Sequence, residues 1–328
     1  MTNFMWSNLA FASKSPLREL HATFIAAPRE LSPARLKQLV KMYVPKGNLV
    51  LGLSTQSYID GFAGQPQFRT LQAESVAKII QRVNAASPTY KIATLMYEPQ
   101  AEPHIISKNL FVRYAFVNGS WAQSFHLRPT FFELAKLKAD YELISPFTGE
   151  SEAASYLEAI WPEVTGATPL PKPGAKLTAQ QALALAAVAG RRSFDHTFQT
   201  GVVLARPTAG QTYTFIAATW NAVVPTQTAA LHHGASREQQ FSPPGDLNYY
   251  DTNHAEMALL VTAAAEGFNL RGNTLFINLL PCPTCARILS TTGLGEVVYQ
   301  FDHSNGYAAR QFALANIPVR RIIPEQAI

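Results

Sequence analysis

The hydrophobic and polar positions of this chain fall into two rhythms. Short apolar runs, 48–53 (NLVLGL) and 274–279 (TLFINL), have the length and composition of buried strands. Residues 90–97 (YKIATLMY) alternate with period two, and 110–117 (LFVRYAFV) read as a further strand. Residues 71–83 repeat apolar side chains at helical spacing, and 131–139 and 150–160 are expected to be helices. In the second half, 177–192 (LTAQQALALAAVAGRR) predicts a long helix. A hairpin is expected from 200–204 and 212–220 around the turn at 207–210. Helices at 253–266, 282–291 and 307–316 alternate with strands at 274–279, 296–300 and 319–323. Such alternation argues for a partly parallel sheet with helices on both faces.

Residues 163–177 (EVTGATPLPKPGAKL) hold three prolines and two glycines among small residues, which blocks regular structure. They read as a linker between an α/β domain at 1–162 and a second domain at 178–328. A polar stretch with Pro and Gly runs from 225 to 250.

Composition narrows the classes. Of 328 residues, 15% are charged and 47% hydrophobic, so each half has apolar material for a core and widespread disorder is excluded. No apolar stretch is long enough to predict a membrane span. The first residues carry no basic group ahead of their apolar part, so no secretory signal is expected. The net charge of +5 suits an anionic small molecule but does not demand nucleic acid. The only two cysteines are Cys282 and Cys285, which excludes a disulfide framework and points to a metal site or redox pair in a reducing, cytoplasmic compartment.

Neither GxxxxGK[ST] nor GxGxxG occurs in the first half. Asn118-Gly119-Ser120-Trp121, with His126 and Arg128 behind it, reads as a turn plus packing. His21 and His104 read as surface or structural histidines.

The chemistry gathers in the second half. His254-Ala255-Glu256 is followed after 24 residues by Pro281-Cys282-Pro283-Thr284-Cys285. Imidazole and thiolate are good Zn²⁺ ligands, and three of them leave a fourth tetrahedral position for water. Cys282 and Cys285 stand three apart at a predicted helix start, where the dipole and unpaired N–H groups favour thiolate. His254 also begins a predicted helix. Glu256, two residues from a ligand, can lie beside the metal without binding it. Zinc lowers the pKa of bound water, and a neighbouring carboxylate can take and return a proton. A CxxC alone could be half of a zinc ribbon or a redox pair. The HxE upstream favours a catalytic zinc, the layout of zinc deaminases, in which water attacks an amidine-like ring carbon.

At these residues the chain resembles the cytidine deaminase-like superfamily, over about residues 178–323. His as first ligand resembles the deoxycytidylate deaminase and tRNA adenosine deaminase branches; the run Val297-Val298-Tyr299-Gln300, Asp302, Ser304-Asn305-Gly306-Tyr307 and the AxxxFxxAxIxVRRI tail are similar to the deoxycytidylate deaminase branch. The resemblance implies a three-layer α/β/α domain with a mixed sheet of about five strands, preceded by the separate α/β domain. It implies one Zn²⁺ per chain on His254, Cys282 and Cys285, with Glu256 as the catalytic carboxylate. It further implies a substrate sugar held by Asn221, with Trp220 and Ala255 beside it. The implied activity is hydrolysis of a C–N bond in a cyclic amidine, most simply dCMP to dUMP. The implied partners are a small nucleotide and further copies of the chain in a homo-oligomer, with no membrane.

There are departures. Ala222 stands where the family has glycine. The stretch 222–253 lacks a cysteine that some relatives use for an extra zinc, and offers His232, His233, Arg237 and Glu238 instead. The adjacent histidines read as solvated, and Arg237 as a candidate for a substrate phosphate. Tyr249 and Tyr250 suit either packing or sandwiching a base. Two alternatives stay open: deamination of a base within RNA or DNA, and a non-catalytic, zinc-stabilised binding module.

Overall fold

The computed structural model describes residues 21–323, other than 28, 88, 118–124, 126–127, 167–168, 196–198, 225 and 234–251. Two units emerge. One comprises residues 1–161 and 225–250, the other 162–224 and 251–328.

The first unit opens with β1 (Ala22–Ala26), α1 (Pro33–Tyr43), β2 (Asn48–Ser54), α2 (Ala73–Ala86) and β3 (Ile92–Tyr97). It continues with α3 (Glu102–Ser107), β4 (Arg113–Val117), α4 (Pro129–Leu137), β5 (Tyr141–Ile144) and the start of α5 (Glu150–Gly166). The five strands form one parallel sheet in the order β3-β2-β1-β4-β5. Both faces are covered, so successive side chains enter different cores. Ile25, Leu49 and Leu51 pack with Leu36, Leu39 and Val76, whereas Phe24, Val50 and Tyr114 pack with Ile105, Ile106 and Leu134. This is why β1 and β2 are buried at every position. Arg128 serves this architecture too: its guanidinium lies 2.5 Å from the buried Glu102 carboxylate, which also accepts from Tyr97 Oη at 2.9 Å and Thr130 Oγ1 at 2.7 Å. The segment 118–121 and His126 lie outside the described residues.

The second unit runs through β6 (Lys176–Thr178), α6 (Ala179–Gly190), β7 (Gly201–Thr208), β8 (Thr212–Trp220) and β9 (Ala222–Val223). Next in the chain comes α7 (Gln227–His233), which groups with the first unit. The second unit resumes with β10 (Thr252–Asn253), α8 (Ala255–Glu266), β11 (Thr274–Leu279), α9 (Pro283–Leu289), β12 (Glu296–Phe301), α10 (Tyr307–Leu314) and β13 (Val319–Arg321). Its main sheet has the order β13-β12-β11-β7-β8-β6. β11, β12 and β13 are parallel, and β7, β8 and β6 add antiparallel pairs. The mixed sheet contains the five expected strands, and the short β6 extends its β8 edge. A capping box between Thr178 and Gln181 starts α6. That helix covers one face through Ala182, Leu183 and Ala186 against Val203, Phe215 and Phe276. Leu259, Leu289 and Phe312 of α8, α9 and α10 cover the other, against Leu204, Leu275 and Val297. The domain is thus three-layered.

α7 lies in the stretch read as polar loop. Ala230 and Leu231 are fully buried. His232 is not solvated: Nδ1 lies 2.6 Å from Ser145 Oγ, Nε2 3.2 Å from Glu150 Oε2, and the ring meets Phe147 edge-on. Arg237, Glu238, Tyr249 and Tyr250 fall outside the described residues. Among the described residues, no helix is long and apolar enough to cross a membrane.

Candidate metal centre

Two helix starts create the site. His254 is the N-cap of α8 and Cys282 the N-cap of α9; its sulfur accepts the Cys285 N–H at 3.4 Å. Pro283 fits the first turn of α9, where no intrahelical N–H is needed. The ligand atoms of His254, Cys282 and Cys285 all lie within 4.8 Å of one another. His254 Nδ1 is 3.5 Å from Cys282 Sγ and 3.4 Å from Cys285 Sγ. A tetrahedral zinc with Zn–S of about 2.3 Å and Zn–N of about 2.0 Å sets sulfur and nitrogen about 3.5 Å apart. The donor set and its spacing therefore fit zinc. Among the described residues this is the only such group.

The electrostatics favour a cation. The hydrogen bond with Cys285 pulls the Cys282 thiol far below its usual range, while the same bond and burial push Cys285 up. Thiolate is the form of cysteine that binds a metal ion. The hydrogen bond with Cys282 raises the pKa of His254, against the lowering effect of burial.

Glu256 sits in the first turn of α8 and is buried. Burial pushes its carboxyl up to about 7, although its own backbone N–H and the neighbouring His254 pull it down. It also shares a hydrogen bond with Cys285. A carboxyl with that pKa can both accept and give a proton near neutrality.

The expected substrate residues lie on the same edge of the unit. The ladder of β9 and β10 pairs Ala222 with Asn253 and Val223 with Thr252. Asn221 and His254 each stand one residue beyond the Ala222–Asn253 pair along the chain. Asn221 is buried, with Oδ1 accepting the Thr200 N–H at 2.8 Å and Nδ2 donating to Asp195 at 3.3 Å. Trp220 ends β8 with the Arg192 guanidinium 5.4 Å from its ring centre. Ala255 is fully buried, and its carbonyl accepts the Thr219 hydroxyl at 2.8 Å, which ties β8 to the start of α8.

Sequence reasoning missed Asp195, Thr219 and Thr252. Asp195 is fully buried and accepts from both Asn221 and Thr252. Its sequence signal was slight: a lone acidic residue in the short turn between a predicted helix and a predicted strand.

Comparison with known proteins bears on this unit. Residues 178–301 match the family model described as "Cytidine and deoxycytidylate deaminase zinc-binding region". The deoxycytidylate deaminases of Enterobacteria phages T2 and T4 are each 37% identical over 46 residues, 14% of this chain. The match spans 24% of the length of those curated relatives. The dCMP deaminase from cyanophage S-TIM5, in apo form, overlays with a TM-score of 0.32 at 18% identity, over 44% of this chain and 96% of that one.

Proposed function

We propose, from the premise that residues 178–301 belong to the cytidine and deoxycytidylate deaminase zinc-binding family, that this chain is a hydrolytic deaminase of a cytosine nucleotide, dCMP first among them. The observation that carries the reading is the meeting of His254, Cys282 and Cys285 at zinc-like spacing with the buried carboxyl of Glu256 beside them.

His254, Cys282 and Cys285 would hold one zinc ion per chain. When bound, zinc supplies a Lewis acid that brings the pKa of water toward neutrality. Everything else belongs to the chain. Glu256 accepts the proton of the attacking water at a carboxylate oxygen. It then delivers that proton to the ring nitrogen next to the attacked carbon. It then takes the remaining proton from the added oxygen and gives it to the amino group as the C–O double bond forms and the C–N bond breaks, so that ammonia leaves. Burial raises the Glu256 pKa above that of a free carboxyl, which helps it return the proton it takes. Asn221, held by Thr200 and Asp195, binds the sugar, while Trp220 and the backbone at Ala255 border the base. Thiolate ligands suit a reducing compartment such as the cytoplasm.

A panel assay tests the reading. The purified chain is offered cytidine, dCMP, dCTP and single-stranded oligonucleotides, and ammonia release is measured. Turnover is expected on the free nucleotides, dCMP foremost. Turnover confined to oligonucleotides would replace the nucleotide by a polymer, and no turnover on any of them would remove the reading.

A further inference from the structure

Asp195 lies in the turn between α6 and β7 and has no exposed surface. A buried carboxylate is costly unless donors face it. Here one oxygen, Oδ2, accepts from Thr252 Oγ1 at 2.8 Å and from Asn221 Nδ2 at 3.3 Å. Both partners are themselves buried. Each adjoins the site along the chain: Thr252 stands two residues ahead of His254, and Asn221 directly precedes β9, whose Ala222 pairs with Asn253, the residue before His254.

The consequence for Asn221 is chemical. A side-chain amide can sit in either of two orientations that exchange its donor and acceptor ends. A carboxylate only accepts and a backbone N–H only donates. With Asp195 on one side and the Thr200 N–H on the other, one orientation satisfies both and the flipped one satisfies neither. A site that reads a hydroxyl by hydrogen bonds depends on that choice, because the flipped amide presents the wrong atom to it.

Resting on the deaminase reading above, we infer that Asp195 is a positioning residue of the nucleotide site: it locks the Asn221 amide in its ligand-reading orientation and ties β10 to it. Asp195 acts through Asn221 and sets affinity for the sugar of the nucleotide, leaving the proton transfers to Glu256.

The test uses the full-length, zinc-loaded protein as wild type, Asp195→Ala, Asp195→Asn, Asn221→Ala and the Asp195→Ala/Asn221→Ala double variant. KM and kcat for dCMP, zinc content and dUMP affinity by calorimetry are read for each. Asp195→Ala is expected to raise KM and weaken dUMP binding by about tenfold or more, with kcat changed much less and zinc retained. Asp195→Asn, whose side-chain oxygen can still accept both bonds, is expected to recover most of the loss. The double variant should bind no more weakly than Asn221→Ala alone, since Asp195 works through that amide. A general structural role would instead lower zinc content and make the two losses additive. That result, or an unchanged KM in Asp195→Ala, overturns the inference while leaving the deaminase reading intact. If Asp195→Ala fails to fold, Asp195→Ser takes its place in the dUMP titration, since its shorter side chain cannot span to Asn221 and Thr252: weakened affinity in a folded, zinc-loaded variant supports the inference and unchanged affinity overturns it. A folded, zinc-loaded wild type that turns over no cytosine nucleotide removes the reading and the inference together.

Discussion

Glu256 and Cys285 sit in the same small volume and should fail differently when altered. Glu256→Gln keeps shape and hydrogen-bonding capacity but cannot carry a proton. It is expected to retain zinc, measured by metal analysis, while kcat falls by about 10²- to 10⁴-fold. Cys285→Ser removes a buried ligand. Zinc content should drop to a small fraction of one per chain and the second unit should melt earlier, because binding energy at such a site is folding energy. Retained zinc in Cys285→Ser would dismiss the ligand set. A third residue gives a pH prediction. Burial acts to raise the Asp302 pKa, but the N–H and hydroxyl of Ser304 and the N–H of Gly306 outweigh it and hold the carboxyl below its usual value. A depressed folded pKa contributes stability above the unfolded value, about 3.9, that is lost as pH falls through the folded one. Asp302→Asn should therefore lower the melting temperature slightly at pH 6 and less as the pH drops below 4. A carboxyl titration by NMR that finds Asp302 at or above 3.9 would contradict this.

Elements in this chain are held by a few close approaches that hydrophobic patterning does not show. Gly201 opens β7 beneath the end of α6. A Cβ there would stand 2.1 Å from the Ala186 carbonyl oxygen and 2.3 Å from the Gly190 nitrogen, both backbone atoms. Gly201→Ala must push helix from strand, and a loss of about 1–3 kcal/mol is expected on denaturant unfolding of the second unit. An unchanged midpoint would mean that α6 can shift freely. Elements also explain what patterning could reach. The helix and strand expectations of the second half fall within a few residues of the observed α6 to β13, because amphipathic helices and the hairpin carry local signals. β1, β5, α1 and α3 went unread. β1 is buried on both faces and α3 is short, so neither has a period to detect.

At the scale of the whole molecule, α7 is the surprise. Its residues follow β9 of the second unit, yet Thr228 donates to Glu150 Oε1 at 2.5 Å, and His232 bonds both Ser145 and Glu150. Leu231 is fully buried in the first unit's company. Leu231→Ala is expected to destabilise the first unit by about 2–5 kcal/mol and to leave zinc content unchanged. Likewise, a chain ending at residue 161 lacks α7 and should unfold at lower denaturant than the first unit of the full chain. Equal midpoints would show that α7 contributes nothing there. The five-stranded parallel order with β1 between β2 and β4 belongs to this scale too. It arises from crossovers that no local stretch encodes.

The residue types and spacing of His254-Ala255-Glu256 and Cys282-Pro283-Thr284-Cys285 by themselves pointed to a metal site, because an N-cap and the third residue behind it always share one end of a helix; that His254 meets the two cysteines was decided by the tertiary structure. The alternation of strands and helices, likewise a local signal, determined the layered second unit. The tertiary structure alone decided which residues meet across distance. It brought Asp195 to Asn221 and Thr252, seated Arg128 on Glu102, and carried His232 to Ser145. Each of these is a buried or half-buried polar contact between segments well apart in sequence. Such contacts follow from the need to satisfy hydrogen bonds once the core has formed, and the chain carries no periodic signal for a requirement that exists only in the folded state.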